Sequence, residues 1–314
     1  MRSQEDQVWY HVDVNSAYLS WTAAYRVCIL GEDLDLRDIP SVIGGSEAER
    51  HGIVLAKSGS AKRYGIRTGE TLAEARCKCP GLVIVPPDYS LYVGCSKALV
   101  ELLKKYFPHV HQYSIDEAFC RVEGTKGLWG THTAFAHQLK EEIRRELGFT
   151  VNIGVSDCKL LAKMASEFQK PDQVHTLFTR EIERKMWPLP VSDLFWVGPA
   201  TVRKLGALGI RTIGELAVMD LELLKRHLKK QGEFIWNYAN GRDVSPFLRE
   251  LPRNKGYGNS MTTPFDVTDR ETAWQVILSL TETVCARLRA DGMEAACVGI
   301  SITDREFRHG SVQT

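Results

Sequence analysis

Three carboxylates carry the chemistry this chain can be expected to do. Asp13 lies in His11-Val12-Asp13-Val14-Asn15, and Asp116 with Glu117 in Tyr113-Ser114-Ile115-Asp116-Glu117-Ala118-Phe119. Both runs are rich in the β-forming residues Val, Ile, Tyr and Phe, and an ionised acid carried into a strand-lined interior is costly unless a cation meets it. A set of hard oxygen ligands brought together in this way predicts a three-carboxylate metal site. Taken singly, Asp13 reads as readily as a surface or capping aspartate, so the weight rests on the combination.

The elements that must position these acids follow from periodicity. Residues 8–14 alternate as a strand, and Asn15 or Ser16 is expected to cap a helix running through Tyr18, Leu19, Trp21, Ala24 and Val27. Asp13 then sits at the carboxyl end of the strand. The amides of residues 16–18 point at the same space, where a helix N-terminus favours phosphate oxygens. Residues 88–106 read as a helix and 110–122 as one long strand containing Asp116 and Glu117. Neighbours on a strand face opposite ways, so these two acids share a pocket only at a bulge or a strand end.

Between these elements, from about Pro40 to Pro87, the texture changes to short segments around Gly, Pro and basic residues, the signature of an inserted subdomain. Residues 53–56 read as a strand. Residues 57–65 gather lysines and an arginine with small residues, suited to phosphate contact and, on their own, equally a solvated turn. Thr71-x-x-Glu74 has the form of a capping box. Further on, residues 134–147 form an amphipathic helix and 151–155 a strand. A second helix, capped within residues 156–159, carries the stripe Leu160, Leu161, Met164, Ala165 and Phe168 and stops at Lys170-Pro171. A lysine held beside a proline just past a packed helix is a fixed cation that suits a triphosphate. The whole predicts an α+β sheet with helices on one face.

Composition bounds these expectations. With 314 residues, 44% hydrophobic and 25% charged, the chain can build two or more cored domains. The formal net charge of +1 offers no global field for a polyanion, so any nucleic-acid partner must be held by local basic clusters. The polar N-terminus lacks the apolar core of a signal peptide, and no apolar run approaches the ~20 residues of a membrane span. A cytoplasmic protein is expected, with its eight cysteines reduced and Cys77-Lys78-Cys79 part of the core rather than a zinc site.

Four motifs in order are more specific than any of these features alone. Asp13-Val14-Asn15-Ser16-Ala17-Tyr18, Tyr113 to Ala118, Ile153-Gly154-Val155 followed by Lys159-Leu160-Leu161-Ala162-Lys163-Met164-Ala165-Ser166, and Lys170-Pro171 together resemble the Y-family translesion DNA polymerases, in particular the bacterial DNA polymerase IV branch. The resemblance implies a right-hand architecture of α+β class. Its α/β palm would comprise residues 1–36 and 88–177 and its small fingers residues 37–87. A helical thumb would follow at 178–250, then a partial α/β little finger at 254–314. Residues 197–210 resemble the thumb's helix-hairpin-helix, with Ala200 where the family turn has its second glycine. Arg203, Lys204, Arg211 and the basic run 225–230 add charge for salt-sensitive DNA contact. The tail is expected as a strand from Gly256, a helix over 271–289, a strand over 295–303 and a hairpin partner at 310–314. The family little finger has a further helix and strand, so this one is expected to be truncated, and the C-terminal sliding-clamp peptide of relatives has no counterpart.

By the same resemblance, the implied activity is template-directed, low-fidelity DNA synthesis that adds deoxynucleotides to a primer 3′ end, with primer–template DNA and deoxynucleoside triphosphates as partners of a monomeric enzyme and a sliding clamp as a further partner left open. Two Mg²⁺ ions are the implied cofactors, held by Asp13, Asp116, Glu117 and the carbonyl of Val14. Asp13 and Asp116 would bridge them, and Glu117 would hold the ion at the primer terminus. Ala17, Tyr18, Lys62 and Lys170 match nucleotide-binding positions, Tyr18 as the steric gate against a 2′-hydroxyl. Lys62 stands where many relatives carry Arg, and Gly59 where they carry Tyr. Two alternatives make different demands on the residues. A nucleotidyl cyclase has paired acids and no use for a helix-hairpin-helix. A catalytically weak or inactive DNA-binding relative predicts loss of at least one of the three acids, all of which are present.

Overall fold

A computed structural model describes residues 7–46, 52–123, 130–244 and 254–314. The chain divides into two units, one running through residue 249 apart from residues 46–51, the other made of those six residues and residues 250–314.

In the first unit β1 (Gln7–Val14) leads into α1 (Ala17–Ala24), followed by β2 (Ser41–Gly44), β3 (Val54–Lys57), α2 (Gly59–Arg63), α3 (Leu72–Lys78) and β4 (Val83–Val85). The chain continues through α4 (Tyr89–Lys104), β5 (His109–Gln112), β6 (Glu117–Glu123), α5 (His132–Leu147), β7 (Val151–Ser156), α6 (Lys159–Glu167) and β8 (Val174–Thr176). The five-stranded sheet has the order β5-β6-β1-β7-β8, antiparallel except for the β7–β8 pair. β1 is therefore central and its end is flanked on both sides.

Alternation along the strands sorts the side chains onto two faces. Val8, Tyr10, Val12 and Val14 pack with Ala118, Cys120 and Val122 of β6 and Val151, Ile153 and Val155 of β7 against Leu99 and Leu103 of α4 and Phe135, Leu139 and Ile143 of α5. The opposite face carries Trp9 and Phe119, which pack on Ala162 of α6. Helices thus cover both faces, where the sequence suggested one. The reason is Gly154. A Cβ built there would lie 1.9 Å from the carbonyl oxygen of Ala162 and 2.6 Å from the amide nitrogen of Ser166, so only glycine lets α6 rest on the sheet.

Three local expectations change. The single strand expected over 110–122 is a hairpin, β5 and β6, closed by Tyr113 and Ser114 amides donating to the carbonyl of Glu117 (2.9 and 3.2 Å). The first helix ends at Ala24 and passes into a π-helical turn, Tyr25–Ile29. Its N-cap is Ser16, in the left-handed region (φ 49°), whose side chain makes no capping bond.

The subdomain of residues 41–85 is a three-stranded sheet, β3-β2-β4, with its own core of Val42, Val54, Ala61, Ile66, Leu72, Ala75 and Cys79. The capping box of Thr71 and Glu74 opens α3 as expected. Ser58 fixes α2: its Oγ accepts from the amides of Ala61 (3.0 Å) and Ser41 (3.1 Å) and donates to the carbonyl of Ile39 (2.7 Å).

After β8 the chain becomes helical: α7 (Ile182–Lys185), α8 (Pro199–Ala207), α9 (Ile213–Ala217), α10 (Leu221–Leu228) and α11 (Lys230–Ala239). Their core, including Ile182, Leu205, Ile213, Leu216, Leu224 and Ile235, is continuous with Leu160, Leu161, Met164 and Ala165 of α6. That helix therefore serves two cores at once. Ala200 stands in the first turn of α8, where the backbone is helical and no glycine is required; the left-handed positions are Trp196 (φ 71°) before the hairpin and Gly209 (φ 80°) within it.

The second unit contains α12 (Arg270–Ala290) and the antiparallel pair β9 (Gly299–Thr303) and β10 (His309–Gln313). The strand expected from Gly256 is absent among the described residues, because residues 254–269 find no ladder partner there. Of the last two strands, β10 stands where expected and β9 begins at Gly299, four residues later than expected. Among the described residues, no helix is long and apolar enough to cross a membrane.

Candidate active site

Register brings the acids together. Asp13 and Glu117 are direct partners across the β1–β6 ladder, so both side chains project from the sheet face that α6 covers. Like charges opposed in this way repel, which is tolerable only where cations are fixed beside them. Asp116 closes the hairpin just before β6. Its carbonyl accepts from the amide of Val14 (3.0 Å), and its Oδ1 accepts from Ser114 Oγ (2.7 Å). The hairpin end supplies the change of direction that two neighbouring acids need to reach one space.

These residues line a cleft of about 550 Å³ with Val14, Ser16, Ala17 and Tyr18 on one side, Lys57, Ser58, Gly59 and Lys62 on another, and Glu167 and Lys170 on a third. Every residue anticipated for the site, Asp13, Val14, Ala17, Tyr18, Lys62, Asp116, Glu117 and Lys170, lines it. The cleft has the size of a small-ligand site, and its walls are mixed in charge.

Two lysines neutralise the acids. Lys170 Nζ donates to Asp13 Oδ2, and Lys163 Nζ donates to Glu117 Oε1 at 2.6 Å. Burial pushes the Asp13 carboxyl up to about 6, against the opposing pull of Lys170 and with a further push from Glu167 and Glu117. Burial works against the charge of Lys170 as well, but its ion pairs with Asp13 and Glu167 hold it above its ordinary value. A carboxylate 6% exposed that remains unsettled beside a lysine is a strong site for a multivalent cation. The donor set fits one: oxygens of Asp13, Glu117 and Glu167 lie within 4.8 Å of one another, and all are hard ligands. Asp116 is not in that group, although it lines the same cleft.

Lys170 owes its place to Asn15. The Asn15 Oδ1 accepts from the amide of Asp172 (2.9 Å) and from Thr150 Oγ1 (3.0 Å), while its Nδ2 donates to Asn152 Oδ1 (3.0 Å). Of the two cap candidates, Asn15 and Ser16, the N-cap position falls to Ser16, and Asn15 ties the turn after α6 to the end of β1. Lys163, Glu167 and the tying role of Asn15 escaped the sequence. The signal for the first two was present in their i, i+4 spacing on a helix whose apolar stripe had already fixed its orientation.

Tyr18 is half-buried. Its ring stacks on Tyr92 with centroids 4.5 Å apart and planes at 7°, and meets Tyr89 edge-on at 6.1 Å. One face is thereby fixed by aromatic packing, and the residue still lines the cleft.

Comparison with known proteins finds relatives along almost the whole chain. Residues 12–167 match the impB/mucB/samB family, and residues 254–314 match that family's C-terminal domain. The chain is 48% identical over 308 residues to a DNA polymerase IV of Clostridium acetobutylicum, covering 98% of this chain and 77% of the relative. It is 40% identical over 305 residues to a DNA polymerase IV of Acetivibrio thermocellus, covering 96% and 74%. Among solved structures, a Y-family DNA polymerase chimera superposes with a TM-score of 0.82 at 18% identity, covering 98% of this chain and 87% of that one.

Proposed function

This chain belongs to the impB/mucB/samB family of Y-family DNA polymerases, and we propose that its nucleotidyl transfer takes place at Asp13, Asp116 and Glu117. It is a template-directed translesion DNA polymerase, a nucleotidyltransferase that adds deoxynucleotides to the 3′ end of a primer on a DNA template. The observation that carries the site assignment is the cross-strand pairing of Asp13 with Glu117 beside Asp116, in a cleft whose other walls bear Lys57, Lys62, Lys170 and Tyr18.

Asp13, Asp116, Glu117 and the carbonyl of Val14 are assigned as the groups that hold two Mg²⁺ ions. Bound there, the metal supplies charge that activates the attacking hydroxyl and neutralises the phosphate as it transfers. The chain's own residues supply the rest. Lys170, tied in place through Asp172 and Asn15, presents its ammonium to the triphosphate. Lys62, on the short helix fixed by Ser58, adds a second cation. The backbone of Ser16 to Tyr18 offers amides where α1 begins. Tyr18, braced by Tyr92, bars a 2′-hydroxyl from the sugar position.

The five-stranded sheet and its helices are read as the palm, the β2–β4 subdomain as the fingers, α7–α11 as the thumb and residues 254–314 as a little finger. The retention of all three acids supports catalysis over a purely DNA-binding role. We assign a cytoplasmic, monomeric enzyme, with a sliding clamp as a candidate partner. Divalent-ion-dependent extension of an annealed primer tests the assignment; a chain carrying both Asp13→Asn and Glu117→Gln that extends primers at the parental rate excludes this site.

A further inference from the structure

Glu167 has an oxygen within 4.8 Å of those of Asp13 and Glu117 but is not among the groups assigned to hold metal, and it sits between both lysines. Lys170 Nζ lies 2.9 Å from Glu167 Oε2, and Lys163 Nζ lies 3.9 Å from Glu167 Oε1. An unbroken series of ion pairs therefore runs Asp13, Lys170, Glu167, Lys163, Glu117. Three carboxylates face two ammonium groups. Lys163 is 7% exposed, and its Nζ lies 5.1 Å from the ring centre of Phe195 and 5.7 Å from that of Tyr113. It cannot retreat to solvent. A buried ammonium deprived of its carboxylate is expensive, so anything that draws Glu117 away from Lys163 must leave it another partner.

We propose that Glu167 is a positioning residue that receives Lys163 and Lys170 when Asp13 and Glu117 turn to a cation; this rests on the assignment of those two acids to metal. Without Glu167 each lysine has only a metal-binding acid to pair with, and the lysines compete with the ion. With it, the exchange leaves no ammonium stranded, and Lys170 stays at the mouth of the cleft facing incoming phosphate. Glu167 acts here through the lysines, not as a ligand. Its place on α6, four residues after Lys163 and three before Lys170, gives both contacts from one helix end.

The two roles separate in a double-mutant cycle on the full chain, with Mn²⁺ alone as the probe and binding read by electron paramagnetic resonance without DNA or nucleotide. Glu167→Gln is expected to weaken Mn²⁺ binding about three- to fivefold, the scale of a partly exposed ion pair. Adding Lys163→Met removes the competitor and is expected to restore most of that loss. Equal weakness in the single and double variants, or no weakening in Glu167→Gln, overturns the proposal. Asp13→Asn measured alongside keeps the outcomes distinct: parental Mn²⁺ binding in that variant means the acids are not the metal site, whatever Glu167 does.

Discussion

Asp13 and Glu117 face each other across adjacent antiparallel strands, and each is held by a different lysine from the segment of α6 and the turn that follows it. Two acids at one register position are a destabilising choice in a sheet, and the chain carries it on the central strand of its five-stranded sheet. The cost is local and measurable.

Asp13→Asn should raise the stability of the metal-free chain while abolishing activity. The Asp13 carboxyl stands at about 6 in the folded chain against a usual 3.8, so ionising it opposes folding. The penalty is absent below pH 3.8, grows as pH rises to about 6 and is complete above that. The amide should therefore gain ~1–3 kcal/mol at pH 8 with a chelator present and almost nothing near pH 3.5. Thermal melts of both variants at the two pH values check this; an equal difference at both contradicts the buried-charge account.

Gly154→Ala should cost about 3 kcal/mol, read as a fall of roughly 6–12 °C in Tm. The added methyl meets backbone on α6, which no side-chain rotation relieves. Since α6 carries Lys163 and Glu167 and leads to Lys170, activity should fall more steeply than stability. A parental Tm shows instead that α6 can ride off the sheet without loss.

Tyr18→Ala should lower discrimination against ribonucleotides by about tenfold or more, as measured by single-nucleotide insertion with matched ribo- and deoxynucleotides. Tyr18→Phe keeps the ring and its stack on Tyr92 and should keep the discrimination. If the phenylalanine variant loses it too, the hydroxyl and not the ring is responsible.

Lys170→Gln should raise the KM for nucleotide about tenfold, the scale of a charge-assisted hydrogen bond to phosphate, and Lys62→Ala by less because ion pairs with Asp13 and Glu167 fix Lys170 in place. Steady-state kinetics with a fixed primer–template distinguishes them. A larger effect at Lys62 moves the triphosphate to the other wall of the cleft.

How far these features could be read from the residues depends on whether they are set locally. The strand of Asp13, the capping box of Thr71 and Glu74, and the helix ending before Lys170 are written in short-range periodicity and capping, and they stand as expected. The hairpin at 113–116 was hidden because Tyr113, Ile115 and Phe119 continue the β-forming texture through the turn; the break is made by backbone bonds to Glu117. Helices on the second face could not be read from the stripe of α6 alone, since a stripe gives an orientation and not a side of the sheet. The steric demand at Gly154 decides that, and a single glycine in a strand is a weak signal. Asn15 and Lys163 act on residues far along the chain, Asp172 and Glu117, so those partners were not legible, whereas the spacing of Lys163, Glu167 and Lys170 was there to be read.

The most direct test is primer extension on an undamaged and an abasic template with Mg²⁺ and deoxynucleotides, comparing the parent chain with Glu117→Gln at matched DNA occupancy. The account expects the parent to extend on both templates and the variant to bind DNA as tightly while extending about 10²–10³-fold more slowly. A variant as fast as the parent, or a parent that binds primer–template and never extends it, contradicts the claim that these acids are the seat of polymerisation.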